Sequence, residues 1–400
     1  MDIKQEEITT LHDMHVDKVQ LMKQVSDVAT EIPVSVIMPM LYKEIKSDAL
    51  ANILNQLNKC TYLKEVIVPL AANSEEEFSH VKRFFSKLTI PKLIIWCNGP
   101  KITKILTELK TQGLDVISYG GKGRDLWIAL GIASIESYGI AIHDADIQNY
   151  DETIPTKLLF PLLEPELDFK FNKGYYARTS IDKTILYGRV FRLFLHPLLR
   201  ALVDVLDDEP DFIRFLRAFR YPISGEFALT SDLARDLDVP YGWGVEIGIM
   251  AEIYRNVTMK RVCQTDLGFY DHKHQEIGNS GSGLVKMTGD IFKSLLRILI
   301  EEDHIQIDQS FLLSLRVLYH KNAKNCIKKY HADARYNGIK YDRHLEESMM
   351  EQFSDQIMTA GQNYMLEPVY TRLPDWLRTI SAKRKIREEL LENVIERNKG

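Results

Sequence analysis

Cysteine is scarce in this sequence, and no long stretch of it is apolar. Four cysteines occur in 400 residues, and none of them belongs to a C-x-x-C pair. We therefore expect no zinc site or redox dithiol, and Cys97 and Cys263, which lie in apolar runs, are predicted to be buried thiols. No apolar run reaches the roughly 20 residues that span a bilayer, and residues 1–24 lack the apolar core of a signal peptide. These absences predict a cytoplasmic protein with no membrane segment.

An excess of basic residues is also missing. Lys and Arg number 51 against 56 Asp and Glu, which gives a formal net charge of -5. A protein that binds a phosphate backbone ordinarily presents a basic surface, so this balance argues against nucleic acid as a partner. Hydrophobic residues make up 45% and charged residues 27% of the chain, as is typical of a globular protein with a sizeable core.

The sequence does contain a regular alternation of short apolar runs and helical patterns. The apolar runs 33–39, 65–69, 92–97, 115–118 and 139–143 predict strands, and the segments 43–58, 74–88, 101–112 and 124–136 predict helices. Such an alternation implies right-handed crossovers and an α/β fold with a mostly parallel, Rossmann-like sheet flanked by helices. In sheets of this kind, ligands lie beyond the carboxyl ends of the strands.

Two carboxylates, Asp144 and Asp146, follow the last of these runs and are separated by Ala145. Residues two apart in a strand face the same side, so both carboxylates can converge on one cation at the strand end. Oxygen ligands suit Mg²⁺ or Mn²⁺, and such an ion can hold the diphosphate of a nucleotide sugar. The alternative is a solvated turn that binds nothing.

A glycine-rich turn, 120–125, precedes the fourth predicted helix. Its glycines allow a close approach of the backbone to a ligand, and Lys122 adds a charge suited to a phosphate or a nucleobase-side contact. The spacing is not that of a P-loop. The alternative is a flexible turn with a solvated lysine.

Later segments offer candidates for binding a sugar or an anion. Gly188 and Arg189 lie at the start of a predicted helix over 186–205, and Arg192 is nearby. These cationic groups beside a helix N-terminus form either an anion site or a solvated basic face. The segment 224–226 precedes a predicted short helix. Glu246 either accepts hydrogen bonds from sugar hydroxyls beside the aromatic wall of Trp243 or is only a first-turn carboxylate.

A predicted late strand, 261–268, leads into a loop that contains His272 and His274. Either histidine could complete a metal site with Asp144 or Asp146, because Mn²⁺ accepts an imidazole ligand. The alternative is a pair of surface or capping histidines.

The order of these motifs resembles the glucosyl-3-phosphoglycerate synthase family, which comprises retaining glycosyltransferases of the GT-A fold (glycosyltransferase family 81). The resemblance covers about residues 33–280. It implies Mg²⁺ or Mn²⁺ as cofactor, a nucleotide-diphosphate glucose such as UDP-glucose as donor, and 3-phosphoglycerate as acceptor. It also implies synthesis of a compatible solute by a homodimer.

The resemblance also carries roles over to individual residues. It implies donor binding by Pro39, Met40, Leu41, Glu44, Asn73, Lys122, Asp144 and Ala145. It implies a metal held by Asp146 and His272 with help from Asp144. It implies sugar or acceptor contacts at Gly188, Arg189, Ser224, Gly225, Glu226, Trp243 and His274, and catalytic roles for Asp146, Glu246 and Arg189.

The chain departs from the family pattern mainly on the acceptor side. Phe191 replaces a threonine, His274 replaces an asparagine and Tyr270 replaces an arginine, while the segment 70–73 replaces an acidic-serine turn on the donor side. Three alternatives follow. The enzyme could use unphosphorylated D-glycerate, it could transfer mannose from GDP-mannose, or the chain could bind a nucleotide sugar without turnover.

Three parts of the chain are expected on this basis. Residues 1–31 form an N-terminal helical segment, and residues 32–280 form the catalytic domain, with a nucleotide-sugar half at about 32–150 and an acceptor half at about 151–280. Residues 281–400 form a helical C-terminal region that covers the catalytic unit or makes a dimer contact.

Overall fold

The computed structural model describes residues 4–242, 244–271, 282–368 and 372–399. The candidate site residues Trp243, His272 and His274 lie outside these ranges. The strands are β1 (Thr9–Leu11), β2 (Val34–Ile37), β3 (Met40–Leu41), β4 (Glu65–Ala71), β5 (Lys92–Trp96), β6 (Gly139–Ile142), β7 (Phe171–Arg178), β8 (Phe227–Thr230), β9 (Val239–Pro240), β10 (Val262–Tyr270) and β11 (Arg372–Leu373).

Helices surround these strands. They are α1 (Lys18–Ala29), α2 (Asp48–Leu57), α3 (Glu75–Phe84), α4 (Pro100–Thr111), α5 (Lys122–Glu136), α6 (Thr153–Leu163), α7 (His196–Leu206), α8 (Asp211–Ala218), α9 (Ser231–Asp236), α10 (Val245–Asn256), α11 (Gly283–Asp303), α12 (Gln309–Tyr336), α13 (Arg343–Leu366), α14 (Trp376–Ala382) and α15 (Ile386–Lys399). Short 3₁₀ turns occupy Tyr42–Lys46, Phe85–Lys87 and Met259–Arg261, and a π-helical turn occupies Val190–Leu195. In the part of the chain described, no helix is both long enough and apolar enough to cross a bilayer.

Nine strands form one mixed sheet in the order β1-β10-β7-β8-β6-β2-β4-β3, with β5 also paired to β4. Strand β8 runs antiparallel to β6 and β7, and the other pairs are parallel. Strands β2 and β6 are buried along their whole length, because helices cover the sheet and leave no face to solvent. The predicted α/β architecture, a mostly parallel sheet flanked by helices with a helical C-terminal region, is confirmed.

The sheet brings distant segments to one edge. Ile142 at the end of β6 pairs with Phe227 at the start of β8. Since β8 runs in the opposite direction, the segment 224–226 arrives where β6 ends. Arg178 at the end of β7 pairs with Tyr270 at the end of β10, so these two strands finish at the same edge.

Two local predictions are wrong. The run 115–118 is a turn and not a strand, because the Asp115 carboxylate accepts hydrogen bonds from the amide (3.0 Å) and the hydroxyl (2.8 Å) of Ser118. The residues after 224–226 form strand β8 and not a helix, because they fill the position between β6 and β7.

The N-terminal segment is only partly helical. Helix α1 begins after Asp17, whose side chain accepts hydrogen bonds from the amides of Val19 and Gln20, and it packs on α6. Thr9–Leu11 instead add a strand to the edge of the sheet, parallel to β10. The apolar pattern of the segment did not predict this strand because it is only three residues long.

The C-terminal helices pack onto the body of the protein at several places. Helix α12 packs on α7, and α13 packs on α11 and α12. The Trp376 ring stacks on Trp127 of α5 with centroids 4.1 Å apart, and its indole nitrogen donates to the Trp127 carbonyl. The Asn398 side chain bonds both the amide (3.1 Å) and the carbonyl (2.9 Å) of Ile94, and so covers part of the outer edge of β5.

Candidate active site at the carboxyl edge of the sheet

A lysine and two carboxylates from three different elements meet at this edge. The ammonium of Lys122, in the first turn of α5, donates to Oδ1 of Asp144 (2.9 Å) and to Oε1 of Glu246 (3.2 Å). Burial alone disfavours the charge of Lys122, but the two carboxylates outweigh it and hold its pKa above the ordinary value. The glycine-rich turn, the Asp-x-Asp motif and the start of α10 therefore converge on one point.

Glycines at the start of α5 allow this convergence. A Cβ at Gly123 would lie 1.8 Å from the carbonyl oxygen of Pro240, so only glycine fits there. Gly121 has a φ of 132°, which other residues rarely adopt, and its Cβ would lie 3.1 Å from the Tyr241 carbonyl oxygen. The glycines thus let α5 begin against the chain that leads from β9 into α10, which carries Glu246.

Asp146 is a buried carboxylate with both acidic and basic neighbours. Burial, followed by the charges of Asp144 and Glu44, raises the pKa of Asp146 to about 7, although Lys122 and Arg178 oppose the shift. Glu44 is itself buried and comes from the 3₁₀ turn after β3. Acidic neighbours that disfavour the ionised form of Asp146 suit a divalent cation, which would relieve their repulsion of this carboxylate.

The described residues do not provide a complete metal site by themselves. Within the described ranges, no group of three or more His, Cys, Asp or Glu side chains is arranged to hold an ion. The further ligand expected from the sequence, His272, follows β10 and lies outside those ranges. The described carboxylates fit Mg²⁺ or Mn²⁺ in the chemistry of their donor atoms and in charge.

The segment 224–226 packs directly against Asp144. A Cβ at Gly225 would lie 2.6 Å from Oδ2 of Asp144. The buried carboxylate of Glu226 accepts a hydrogen bond from the Tyr176 hydroxyl (2.6 Å), and burial together with the Asp144 charge raises the pKa of Glu226 to about 7. Ser224 has a structural contact, since its hydroxyl donates to the Gly174 carbonyl (2.6 Å).

Strand β7 adds residues that sequence reasoning missed. Lys173 is buried, and its ammonium donates to the Ser224 carbonyl (2.8 Å) and lies 5.0 Å from the centre of the Phe227 ring. Burial lowers the pKa of Lys173 to about 8. Arg178 donates to the Tyr221 hydroxyl (3.3 Å), and its buried Nε has no hydrogen-bond partner among the described residues. Charged residues in a strand that is otherwise buried are the signal that could have identified both.

His143 is hydrogen-bonded to the backbone of Asp144. Its Nδ1 lies 3.1 Å from the Asp144 carbonyl oxygen, which can only accept, so Nδ1 carries the proton. Its Nε2 then accepts from the Tyr150 hydroxyl at 3.0 Å. Burial lowers the pKa of His143 to about 4, so the ring is neutral at pH 7 and fixes the backbone beside the metal-binding candidates.

Gly188 and Arg189, the residues expected to bind the acceptor, precede the π-helical turn Val190–Leu195. A Cβ at Gly188 would be in ordinary contact with the Arg178 side chain, at 3.6 Å. Arg189 lies further out, where its Nε donates to Oε1 of Glu346 on α13 (3.3 Å). The structure therefore links Arg189 to the C-terminal helices through Glu346.

The remaining candidates have less direct positions. Pro39, Met40 and Leu41 follow β2 at the same edge of the sheet, and the Leu41 side chain is exposed. Ala145 is buried between the two aspartates. Asn73 is exposed, and its backbone N–H donates to the Glu77 carboxylate of α3 (2.7 Å). It has no described contact to Lys122 or to the carboxylates beside it.

Two curated relatives match nearly the whole chain. The glucosyl-3-phosphoglycerate synthase of Methanococcoides burtonii is 47% identical over 396 residues, which cover 99% of this chain and 98% of the relative. The enzyme of the same name from Persephonella marina is 38% identical over 367 residues, which cover 90% of each. No family model matches the chain.

Solved structures share the fold. A glucosyl-3-phosphoglycerate synthase from Mycobacterium tuberculosis, in complex with Mg²⁺ and UDP, matches with a TM-score of 0.54 at 21% identity, covering 76% of this chain and 89% of that one. The mannosyl-3-phosphoglycerate synthase of Rubrobacter xylanophilus matches with a TM-score of 0.54 at 20% identity, covering 73% and 88%. These likenesses show a common GT-A fold, and the identity and coverage of the curated relatives show that the chain belongs to the glucosyl-3-phosphoglycerate synthase family.

Proposed function

We propose that the protein transfers glucose from UDP-glucose to 3-phosphoglycerate, with Mg²⁺ or Mn²⁺ as cofactor and with retention at the anomeric carbon. The observation that carries the proposal is the contact of Lys122 with both Asp144 and Glu246, which joins the donor-side and sugar-side motifs at one point. Two curated glucosyl-3-phosphoglycerate synthases match nearly the whole chain. A structure of the M. tuberculosis enzyme contains Mn²⁺, UDP-glucose and phosphoglyceric acid.

Asp146 would hold the cation together with Asp144, and His272 is proposed as the further ligand. When bound, the cation offsets the charge of the diphosphate and of the leaving nucleotide. Lys122 lies beside these carboxylates, where its ammonium can fix a phosphate oxygen of the donor.

The sugar and the acceptor are bound by other residues of the chain. We assign the uridine side to Pro39, Met40 and Leu41, with Glu44 and Asn73 nearby. Glu226 and Glu246 accept hydrogen bonds from sugar hydroxyls, and the Tyr176 hydroxyl fixes the orientation of Glu226. Gly188 and Arg189 hold the negative charge of the acceptor, with Ser224, Gly225, Trp243 and His274 as further contacts.

Retention is proposed to occur by attack on the same face as the leaving group. The bond between the anomeric carbon and the diphosphate oxygen breaks while the bond to the acceptor hydroxyl oxygen forms. The hydroxyl proton passes to the leaving phosphate oxygen, so no enzyme nucleophile is required.

The decisive experiment is an activity matrix of UDP-glucose and GDP-mannose against 3-phosphoglycerate and D-glycerate, with Mg²⁺, Mn²⁺ or a chelator. We expect turnover with UDP-glucose and 3-phosphoglycerate, and none with the chelator. Asp146→Ala should remove the metal-dependent transfer while the variant stays folded. Full activity of the variant, or binding of UDP without turnover of any pair, would contradict the proposal.

D-glycerate is a second candidate acceptor, and Phe191 is the observation that favours it. Its ring packs at 5.3 Å against Tyr221, which accepts a hydrogen bond from Arg178. An aromatic ring in the acceptor loop replaces a hydroxyl donor expected to help hold a phosphate. The matrix separates the two acceptors directly.

We further propose that the protein is a homodimer that works in the cytoplasm. The proposed substrates are phosphorylated and do not cross bilayers unaided, which supports the second part. Light scattering of the purified protein would test the first, and a mass equal to one chain would contradict it.

A further inference from the structure

We propose that Glu346, in the C-terminal helical region, positions Arg189 so that it can bind the negative charge of the acceptor. The inference rests on the proposed function and gives a residue of the C-terminal region a part in acceptor binding. It makes Glu346 a positioning residue, since its carboxylate acts on the acceptor only through Arg189.

The Glu346 carboxylate joins two arginines of one chain segment. Its Oε1 accepts from Nε of Arg189 (3.3 Å) and from Nη2 of Arg192 (3.1 Å), and its Oε2 accepts from Nη1 of Arg192 (2.8 Å). Glu346 and Arg192 are buried, whereas the Arg189 side chain keeps 23% of its surface exposed. Arg189 is therefore the member of this three-residue group that reaches the surface, on the proposed acceptor side.

The two arginines differ in how their donors are used. Arg192 also donates to the carbonyls of Tyr187 (2.7 Å) and Leu186 (3.4 Å), so its guanidinium is occupied by the protein. Arg189 uses only Nε within the described ranges. Because a guanidinium is planar, a bond from Nε to Glu346 fixes the direction of both Nη groups.

The charges of the group do not cancel. Two guanidinium cations face one carboxylate, which leaves one positive charge in a partly buried place, and an anionic ligand would balance it. The acceptor of the proposed reaction carries a carboxylate and a phosphate. Bidentate binding of either group by the two Nη atoms of Arg189 would supply the missing charge.

The same helices also hold the backbone around Arg189. The Tyr319 hydroxyl of α12 donates to the Leu193 carbonyl (2.7 Å), within the π-helical turn Val190–Leu195 that follows Arg189. The Lys340 amide, between α12 and α13, donates to the Thr184 carbonyl (2.8 Å). The C-terminal region thus contacts the acceptor loop on both sides of Arg189, and Glu346 is its charged contact.

The test compares Glu346→Gln and Glu346→Asp with the wild-type enzyme in steady-state assays. We expect Glu346→Gln to raise the KM for 3-phosphoglycerate about tenfold, because the hydrogen bond to Arg189 loses the negative charge of its acceptor, while the KM for UDP-glucose is unchanged. Glu346→Asp keeps the charge and should recover part of this loss. Asp355→Asn is the control, because it removes a carboxylate of the same helix that pairs with Arg316 (2.8 Å) away from Arg189.

Four results would overturn the inference. A lower KM for 3-phosphoglycerate in Glu346→Gln would mean that Glu346 competes with the acceptor for Arg189. Equal changes in both KM values, or no change, would mean a structural role only. If Glu346→Gln does not fold, Glu346→Asp must bind UDP normally by calorimetry and still show a raised acceptor KM, and an unchanged KM would overturn the inference.

Failure of the proposed function is a separate result. It would appear as absence of glucose transfer to 3-phosphoglycerate by the wild-type enzyme. In that case, calorimetric titration of the wild-type protein and Glu346→Gln with 3-phosphoglycerate tests the inference alone. Weaker binding to the variant would support the inference, and equal binding would overturn it.

Discussion

Gly225 and Asp144 are so close that no side chain fits between them, since a Cβ at position 225 would lie 2.6 Å from the Asp144 carboxylate oxygen Oδ2. The carboxylate cannot retreat freely because Lys122 holds its other oxygen at 2.9 Å. The backbone of the turn before β8 thereby sets the position of an aspartate in the Asp-x-Asp motif.

Gly225→Ala is therefore expected to displace the Asp144 carboxylate. A shift of about 1 Å in a reacting geometry costs on the order of 100-fold in rate, so kcat should fall by about that factor. The methyl group meets the end of a side chain and not backbone, so the melting temperature should change little. Steady-state kinetics at saturating metal, with a thermal melt, would measure both, and wild-type kcat would refute this role of Gly225.

Lys122→Met should weaken use of the donor. The ammonium makes charge-assisted bonds to Asp144 and Glu246. Because we propose that it also binds a donor phosphate, kcat/KM for UDP-glucose should fall about 10- to 100-fold. The matched control is Lys101→Met, which removes an exposed ion pair with Glu396 and should leave the kinetics unchanged. An equal effect of the two substitutions would argue against a role for Lys122 in donor binding.

Comparing Lys173→Met with the wild-type protein should show how the buried ammonium makes the free energy of unfolding depend on pH. Burial lowers the pKa of Lys173 from 10.5 to about 8, so between these pH values the unfolded chain binds a proton that the folded chain does not. The wild-type protein should therefore gain stability as pH rises through this window, by about 3 kcal/mol relative to Lys173→Met.

Below about pH 8 this stabilisation of the wild-type protein is absent, and above about pH 10.5 it is complete. Urea unfolding of both proteins at pH 7.5, 9 and 10.5 would measure the difference. A difference in free energy that does not vary with pH would show that Lys173 keeps an ordinary pKa in the folded protein.

Trp376→Ala tests how firmly the C-terminal segment holds helix α5. The Trp376 ring is fully buried, stacks on Trp127 and leaves no room for a Cβ on Gly131, which would lie 2.1 Å from it. Its removal should cost about 3–5 kcal/mol of unfolding free energy. Leu377→Ala, at a neighbouring residue that is 53% exposed, should change the unfolding free energy by less than about 0.5 kcal/mol. Similar unfolding curves for the two variants would contradict the packing role.

Much of the sheet could be read from the sequence because of how parallel strands are buried. Strands β2, β4, β5 and β6 have helices covering them, so they appear as continuous apolar runs between helical patterns. The carboxylates of Asp144 and Asp146 follow such a run directly. Their position at the carboxyl edge of the sheet therefore required only local information.

Other features required contacts between distant parts of the chain. The run 115–118 is apolar enough for a strand, but the side chain of Asp115 closes it into a turn. Strand β8 forms by pairing with residues of β6 and β7 that lie more than fifty positions earlier in the chain. The contact of Glu346 with Arg189 joins residues 157 positions apart, and no local pattern indicates it.

The sequence by itself determined the α/β class, the positions of most principal strands along the chain and the candidate donor motifs, because hydrophobic periodicity and glycine placement are local features of the chain. Only the tertiary structure decided that Lys122, Asp144, Gly225 and Glu246 meet, that Lys173 and Arg178 lie beside them, and that the C-terminal helices hold Arg189. These contacts form because the packed chain pairs its buried charges and brings separate backbone segments close together. Both depend on the whole fold and not on any local segment.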